Sequence, residues 1–291
     1  MAGTSIYRQV TEKILNQLQQ GVLPWRKPWE PVPDRNAFSG RPYRGVNVLL
    51  LNISALVNGF TSPYWLTYRE AKKLGGYVRK GEKATSIIFW KVLEVVEKDS
   101  NGNPIVNPET GEERTVEVPF ARYYMVFNLE QTEGVTLPDK LQCSCPPAEG
   151  ICSSLLSLPT IKWGKSATYD PERDFIELPP SSSFHSQDAF WSSFFHELIH
   201  WTGKRLGREF GHRFGDKAYA FEELVAEIGS AFLCAHAGIE ADGPEHASYI
   251  QEWINILERD SKAIFTAARK AQEAVDWLLA CVAEEKKAEA A

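Results

Sequence analysis

The spacing of apolar positions changes several times along this 291-residue chain, and each change marks an element. From Ser5 to Gln20, Ile6, Val10, Ile14 and Leu18 recur every fourth residue, which predicts an amphipathic helix that Gly21 and Pro24 stop. The Pro-rich segment "PWRKPWEPVPDRN" then reads as a loop. "YRGVNVLLLNISALVNG", ended by Gly59, and "TYREAKKLGG", closed by Gly75 and Gly76, predict a second and a third helix. "SIIFWKVLEVVE" and "RTVEVPFARYYMVFNL" are β-branched and aromatic instead. "DSNGNPIVNPETGEE" joins them through Asn-Gly and Thr-Gly turn pairs, so a β-hairpin with a mobile tip is expected.

Residues 131–156 lose all periodicity and collect Pro, Ser, Gly and Cys, the signature of a linker between a domain at 1–130 and another at 157–291. Beyond it, "SATYDPERDFIEL" predicts two short strands around a turn. Three helices follow: one through "HSQDAFWSSFFHELIHW", one over "KAYAFEELVAEIGSAFLCAHAG", and a long one from about His246 to Glu285. The fold class expected is α+β in two domains.

Charge divides the chain more sharply than composition does. Residues 1–91 hold 14 Lys/Arg against 5 Asp/Glu, whereas the remaining 200 hold 18 against 33, giving +9 and −15 and the total of −6. A basic half on an acidic protein points to a polyanionic partner for that half. The same 91 residues carry 12 aromatics, among them Trp25, Trp29, Tyr43, Tyr64, Trp65, Tyr68, Tyr77 and Trp90. Cations that track phosphates and rings that stack on unpaired bases are what single-stranded DNA requires. The candidate contacts are Trp25, Arg26, Lys27, Trp29, Arg41, Arg44, Arg79, Lys80 and Lys83. No run of 18 apolar residues occurs and the N-terminus is polar, so no membrane partner is expected and the chain is read as cytoplasmic. The five cysteines, with Cys143, Cys145 and Cys152 clustered at no zinc-knuckle spacing, are read as reduced thiols.

The chemistry concentrates in "HELIH". On a helix, His196 and His200 lie about 40° apart and one turn along, so both imidazoles can hold one zinc ion, Zn²⁺. Glu197 projects beside the ion, where a carboxylate can take a proton from bound water and pass it to a leaving group. A third protein ligand is needed. The metzincin form HExxHxxGxxH matches through Gly203 but fails at Leu206, and His212 stands at no familiar spacing. In "AFEELVAEIGSAF", Glu223 and Glu227 are four apart on one helical face, while Glu222 is rotated away. One carboxylate of such a pair can ligate the ion while the other accepts the N–H of a ligand histidine. Glu223 is read as the ligand and Glu227 as the histidine's partner, the reverse assignment staying open. "FFHELIHW" is apolar at nearly every other position, and burying two histidines and a glutamate there without a cation is costly. The spacing leaves open whether such a metallopeptidase-type site cuts peptide bonds or is structural.

The series "VTEKILNQLQQGVLPWRKPW", "GRPYRGVNVLLL", "SPYWLTYREAKKLGGYVRKGEKAT" and "FWK", followed by "HELIHWTG" and "EELVAEIGSAFL", resembles the plasmid-borne ArdC-type antirestriction proteins, whose N-terminal domain is shared with conjugative primases. The resemblance spans nearly the whole chain, more weakly at residues 95–120 and 140–155. It implies an N-terminal single-stranded-DNA-binding domain, a C-terminal zincin-like metallopeptidase domain, and protection of incoming conjugative DNA from host restriction. A restriction-enzyme subunit or another DNA-bound protein is the candidate protein partner. The family's metal motif maps onto His196, Glu197 and His200, with Glu223 and Glu227 in the later helix.

Overall fold

The computed structural model describes residues 5–26, 31–108, 110–142, 151–208, 217–242 and 247–289. The first half contains α1 (Ile6–Leu18), β1 (Arg35–Asn36), α2 (Val46–Asn58), β2 (Tyr64–Leu66), α3 (Tyr68–Lys73), β3 (Tyr77–Val78), β4 (Thr85–Val96), β5 (Thr115–Asn128) and β6 (Thr132–Glu133). After α4 (Asp139–Gln142) come α5 (Ile151–Ser157), β7 (Thr160–Trp163), β8 (Thr168–Asp170), β9 (Phe175–Leu178), α6 (Gln187–Arg205), α7 (Lys217–Ala237), α8 (Ala247–Arg259) and α9 (Ala263–Glu289). Local chemistry explains several ends. Gly59 closes α2 in the left-handed region at φ 73°, its N–H donating to the Ala55 carbonyl. Thr67 and Glu70 form a reciprocal capping box that starts α3.

One sheet runs β1-β2-β5-β4, with β1 and β2 parallel and the other pairs antiparallel. β3 and β6 form a small antiparallel ribbon, and β7-β9-β8 is a third sheet in which β7 and β9 run parallel. The expected hairpin is β4–β5, in unbroken register from Thr85 opposite Val126 to Val96 opposite Thr115. Its alternation places Phe89, Lys91 and Val95 on one face with Val116, Phe120, Arg122 and Tyr124. That face leaves the body of the protein uncovered: Phe89 is 55% exposed, Phe120 44% and Tyr124 43%. Lys91 and Arg122 are its charged residues, both cationic, with the Arg122 guanidinium 5.9 Å from the Phe120 ring centre.

The acidic and basic halves share one apolar core. Val10, Ile14 and Leu18 of α1, Trp25, and Leu49 and Ile53 of α2 belong to the same buried cluster as Phe194, Leu224, Trp253, Ile264 and Leu278. α1 packs on α8 and α2 on α9. The predicted linker segment contributes to it as well, since Ile151 and Leu155 of α5 are buried in this cluster.

One expectation needs correction and one element was not foreseen. The long C-terminal helix is two helices, because Asp260 turns the chain: its side chain accepts from Lys262 N at 2.8 Å and its carbonyl from Ala263 N at 3.0 Å. The Ser261 carbonyl freed by that break accepts the Thr11 hydroxyl of α1 at 2.8 Å. The strand β7, at "TIKW", carried no alternation strong enough to predict it.

Candidate metal centre

Ser186 starts α6, its hydroxyl accepting from Ala189 N at 3.0 Å, and the helix then buries nearly every residue from Phe190 to Gly203. α7 lies antiparallel against it, as the contact pairs show: Ser230 with Ser192, Gly229 with Ile199, Glu223 with His200. Gly229 permits the approach. A Cβ there would come within 2.9 Å of the Ile199 side chain, so the helices meet at a separation only glycine allows. The Ser230 hydroxyl bonds the Ser192 carbonyl at 2.9 Å and fixes the register.

That register brings two imidazoles to one carboxylate. His196 Nε2 and His200 Nε2 are 3.1 Å apart, and Glu223 faces both, Oε2 at 3.2 Å from the first and Oε1 at 3.5 Å from the second. The three residues offer donor atoms all within 4.8 Å of one another, a set able to hold a metal ion. The other ring nitrogens have their own carboxylates: His196 Nδ1 is 3.6 Å from Glu227 Oε1, and His200 Nδ1 is 3.5 Å from Glu222 Oε1. Glu222 is therefore not turned away from the site. The two nitrogens of an imidazole point in opposite directions, and carboxylates about 100° apart around α7 flank the His200 ring on both sides. Glu222 is held in turn by Arg208, at 3.0 Å, which also donates to Thr202 and to the Ile199 carbonyl. Arg208 had no sequence signal, since its role depends on the chain folding back from the end of α6.

The donor chemistry fits a divalent cation. Glu222, Glu223 and Glu227 are all buried, as are both histidines and Arg208. Burial by itself lowers the His200 pKa, but Glu222 and Glu223 outweigh it and push the value up to about 10. Burial likewise raises the Glu223 carboxyl, and the His196 and His200 rings overcome it, holding the group far below the usual carboxylate range. The two shifts are reciprocal: the carboxylates favour positive charge on the rings and the rings favour ionised carboxylates, a donor set suited to a cation.

Glu197 opens onto the same cleft, lined also by Thr168, Tyr169, Pro171, Tyr219 and Tyr249. Its Oε2 accepts the Tyr169 backbone N–H at 2.7 Å, which ties the carboxylate to β8. β8 is braced by Asp174, which accepts the Tyr169 hydroxyl at 2.9 Å and pairs with Arg205 at the end of α6 at 2.8 Å. Burial, then Glu223, raises the Tyr219 phenol above its ordinary pKa, keeping it protonated on the cleft wall. His212 lies outside the described residues.

The sequence-derived DNA contacts lie in different surroundings. Trp25 is 2% exposed, its ring edge-on to Trp253 at 5.5 Å, so it is core and has no face for a base. The segment is the expected loop, but apolar packing buries a ring that its Pro- and Lys-rich context suggested would be exposed. Arg26 pairs with Glu227, Arg44 with Asp276, and Arg79 with Glu82. Arg41, Lys80 and Lys83 are exposed, while Lys27 and Trp29 lie outside the described residues, as do Cys143 and Cys145. Among the described residues no helix is long and apolar enough to cross a membrane.

Comparison with known proteins matches both halves. A family described as the N-terminal domain of the anti-restriction factor ArdC matches residues 4–127, and a zincin-like metallopeptidase family matches residues 152–270. Two Escherichia coli proteins described as DNA primase TraC are 37% identical over 94% and 93% of the chain, which spans 27% and 20% of their length. The uncharacterized protein y4eC of Sinorhizobium fredii (strain NBRC 101917 / NGR234) is 35% identical over 94% of this chain and 92% of its own. The metal-free crystal structure of the antirestriction ArdC protein from plasmid R388 superposes with a TM-score of 0.78 at 37% identity, covering 97% of this chain and 99% of that one. Its Mn(II)-bound structure gives 0.74 at 34% identity over 96% and 99%. With an ArdC-type N-terminal domain, a zincin-like C-terminal domain and near-complete coverage of a solved ArdC, the chain belongs to the ArdC antirestriction family.

Proposed function

We propose that this protein binds single-stranded DNA, shields incoming conjugative plasmid DNA from restriction in the cytoplasm, and holds one zinc ion between His196, His200 and Glu223. The observation that carries the metal assignment is the convergence of three donor atoms within 4.8 Å in a buried, acid-rich site that also contains Glu197. Bound there, zinc would act as a Lewis acid toward water or a carbonyl oxygen. The chain's own residues do the rest. Tyr169 N–H fixes Glu197 through Oε2, so Oε1 takes the proton from a water in the cleft and returns it to the leaving amine. Glu222 and Glu227 hold the ligand rings by their Nδ1 sides and direct Nε2 inward. Tyr219 and Tyr249, both raised in pKa first by burial, supply protonated hydroxyls on the cleft wall.

The single-strand reading is supported by the uncovered face of β4–β5, where Phe89, Phe120 and Tyr124 present rings beside Lys91 and Arg122. Exposed rings with cations alone suit unpaired bases and their phosphates. We read protection as coating of the strand. The intact Glu197 in the cleft favours a second reading, cleavage of a restriction-enzyme subunit or another DNA-bound protein. A restriction-protection assay of wild type against Glu197→Gln, with zinc content and single-strand affinity measured on both, tests these readings. Coating predicts that the variant keeps its zinc, binds DNA as wild type does, and protects equally. A variant that binds and holds zinc yet fails to protect would establish cleavage instead. Wild type without zinc or single-strand affinity would sink the whole proposal.

A further inference from the structure

We infer that Trp25 and Arg26, carried by the N-terminal half, are positioning residues of the metal centre, locking the carboxylate that orients His196. This rests on the reading of His196, His200 and Glu223 as metal ligands. Glu227 divides its two oxygens between the halves of the chain. Oε1 faces His196 Nδ1 at 3.6 Å, while Oε2 accepts the Trp25 indole N–H at 3.3 Å and pairs with the Arg26 guanidinium at 3.4 Å. The indole and the carboxylate are 202 residues apart in sequence, so tertiary folding alone brings them together.

Each partner's environment suits it to this task. Trp25 is inside the shared core, where its N–H has no access to water and must be satisfied internally. Glu227 is buried, and a buried carboxylate is stable only when its oxygens are hydrogen-bonded or paired. Two donors converging on Oε2 remove the freedom of that carboxylate to rotate, so Oε1 stays on His196 Nδ1 and the Nε2 lone pair stays turned toward Glu223 and His200. Ser192 and Ser230 line a small cavity together with Arg26, His196 and Glu227. The "PWR" of the N-terminal motif thereby belongs to the metal centre rather than to DNA. The C-terminal half holds the ligands, and the basic half completes their setting.

The test uses the full chain and zinc itself, with affinity measured by competition against a chromophoric chelator. Trp25→Phe keeps a ring against Trp253 and removes the N–H; Arg26→Gln removes the charge and Arg26→Lys keeps it. Trp25→Phe with Arg26→Gln should weaken zinc binding about 10- to 100-fold, the range for loss of groups supporting a ligand histidine. Their Co(II)-loaded forms should show altered ligand-field absorption, and Arg26→Lys should recover most of the affinity. In a Glu227→Gln background the same changes should have no further effect on zinc. Unchanged affinity in the double variant, or an undiminished loss in the Glu227→Gln background, would overturn the inference while leaving the metal site in place. Absence of zinc binding in wild type would overturn both, and the thermal midpoint of the metal-free variants separates lost positioning from lost folding.

Discussion

Helix α6 and the β4–β5 hairpin are both rich in aromatic residues and use them in opposite ways. Phe194 and Phe195 are fully buried, Phe190 nearly so, and they dry the back of the helix that carries HELIH. Phe89, Phe120 and Tyr124 face solvent on a hairpin whose opposite face meets α1, Trp90 against Tyr7. In α6 three buried polar residues face braces on α7: Ser192 meets Ser230, His196 meets Glu227, and His200 meets Glu222. On the hairpin, Phe89 and Tyr124 meet each other edge-on at 5.6 Å. Ring content alone therefore identifies neither core nor binding surface; what surrounds the rings decides.

The contrast is broken most severely by removing a ligand. His200→Ala should take zinc content from about one per chain to none, measured by metal analysis after dialysis, because two remaining donors do not make a zinc site. Retention of stoichiometric zinc would mean the ion sits elsewhere. A smaller effect is expected from Gly229→Ala, whose Cβ would meet Ile199 at 2.9 Å. Pushing α6 and α7 apart should cost about 1–3 kcal/mol of folding stability and weaken zinc binding as Glu223 withdraws from the rings. A denaturation midpoint equal to wild type would show that the helices approach for another reason. On the hairpin, Phe89→Ala or Tyr124→Ala should reduce affinity for a thymidine oligonucleotide by about 1–3 kcal/mol each. Folding stability should stay within about 0.5 kcal/mol, since exposed rings contribute little to it. If stability falls and affinity does not, these rings are structural and the comparison with α6 fails.

Much of this was legible in the sequence, for reasons that can be named. The i, i+4 spacing of His196 and His200 and of Glu223 and Glu227 survives into the fold because both pairs lie within single helices, where spacing fixes direction. The left-handed Gly59 and the β4–β5 hairpin are likewise local. What failed depends on distant partners. Glu222 joins the site only because Arg208 returns against it, and Trp25 is buried only because Trp253 and Glu227 are there to meet it. The break between α8 and α9 is local to Asp260, yet it was hidden by an apolar periodicity that continues on both sides.

The bond from Thr11 to Ser261 spans 250 residues, and α1 lays its apolar face on α8. On a ribosome adding about 5–20 residues per second, the partner of Val10, Ile14 and Leu18 is roughly 12–50 s away when α1 emerges. Throughout that interval three large aliphatic side chains have only the α2 part of their native covering. Synthesis speed and chaperone supply, more than equilibrium stability, should then govern how much of the protein reaches its working form.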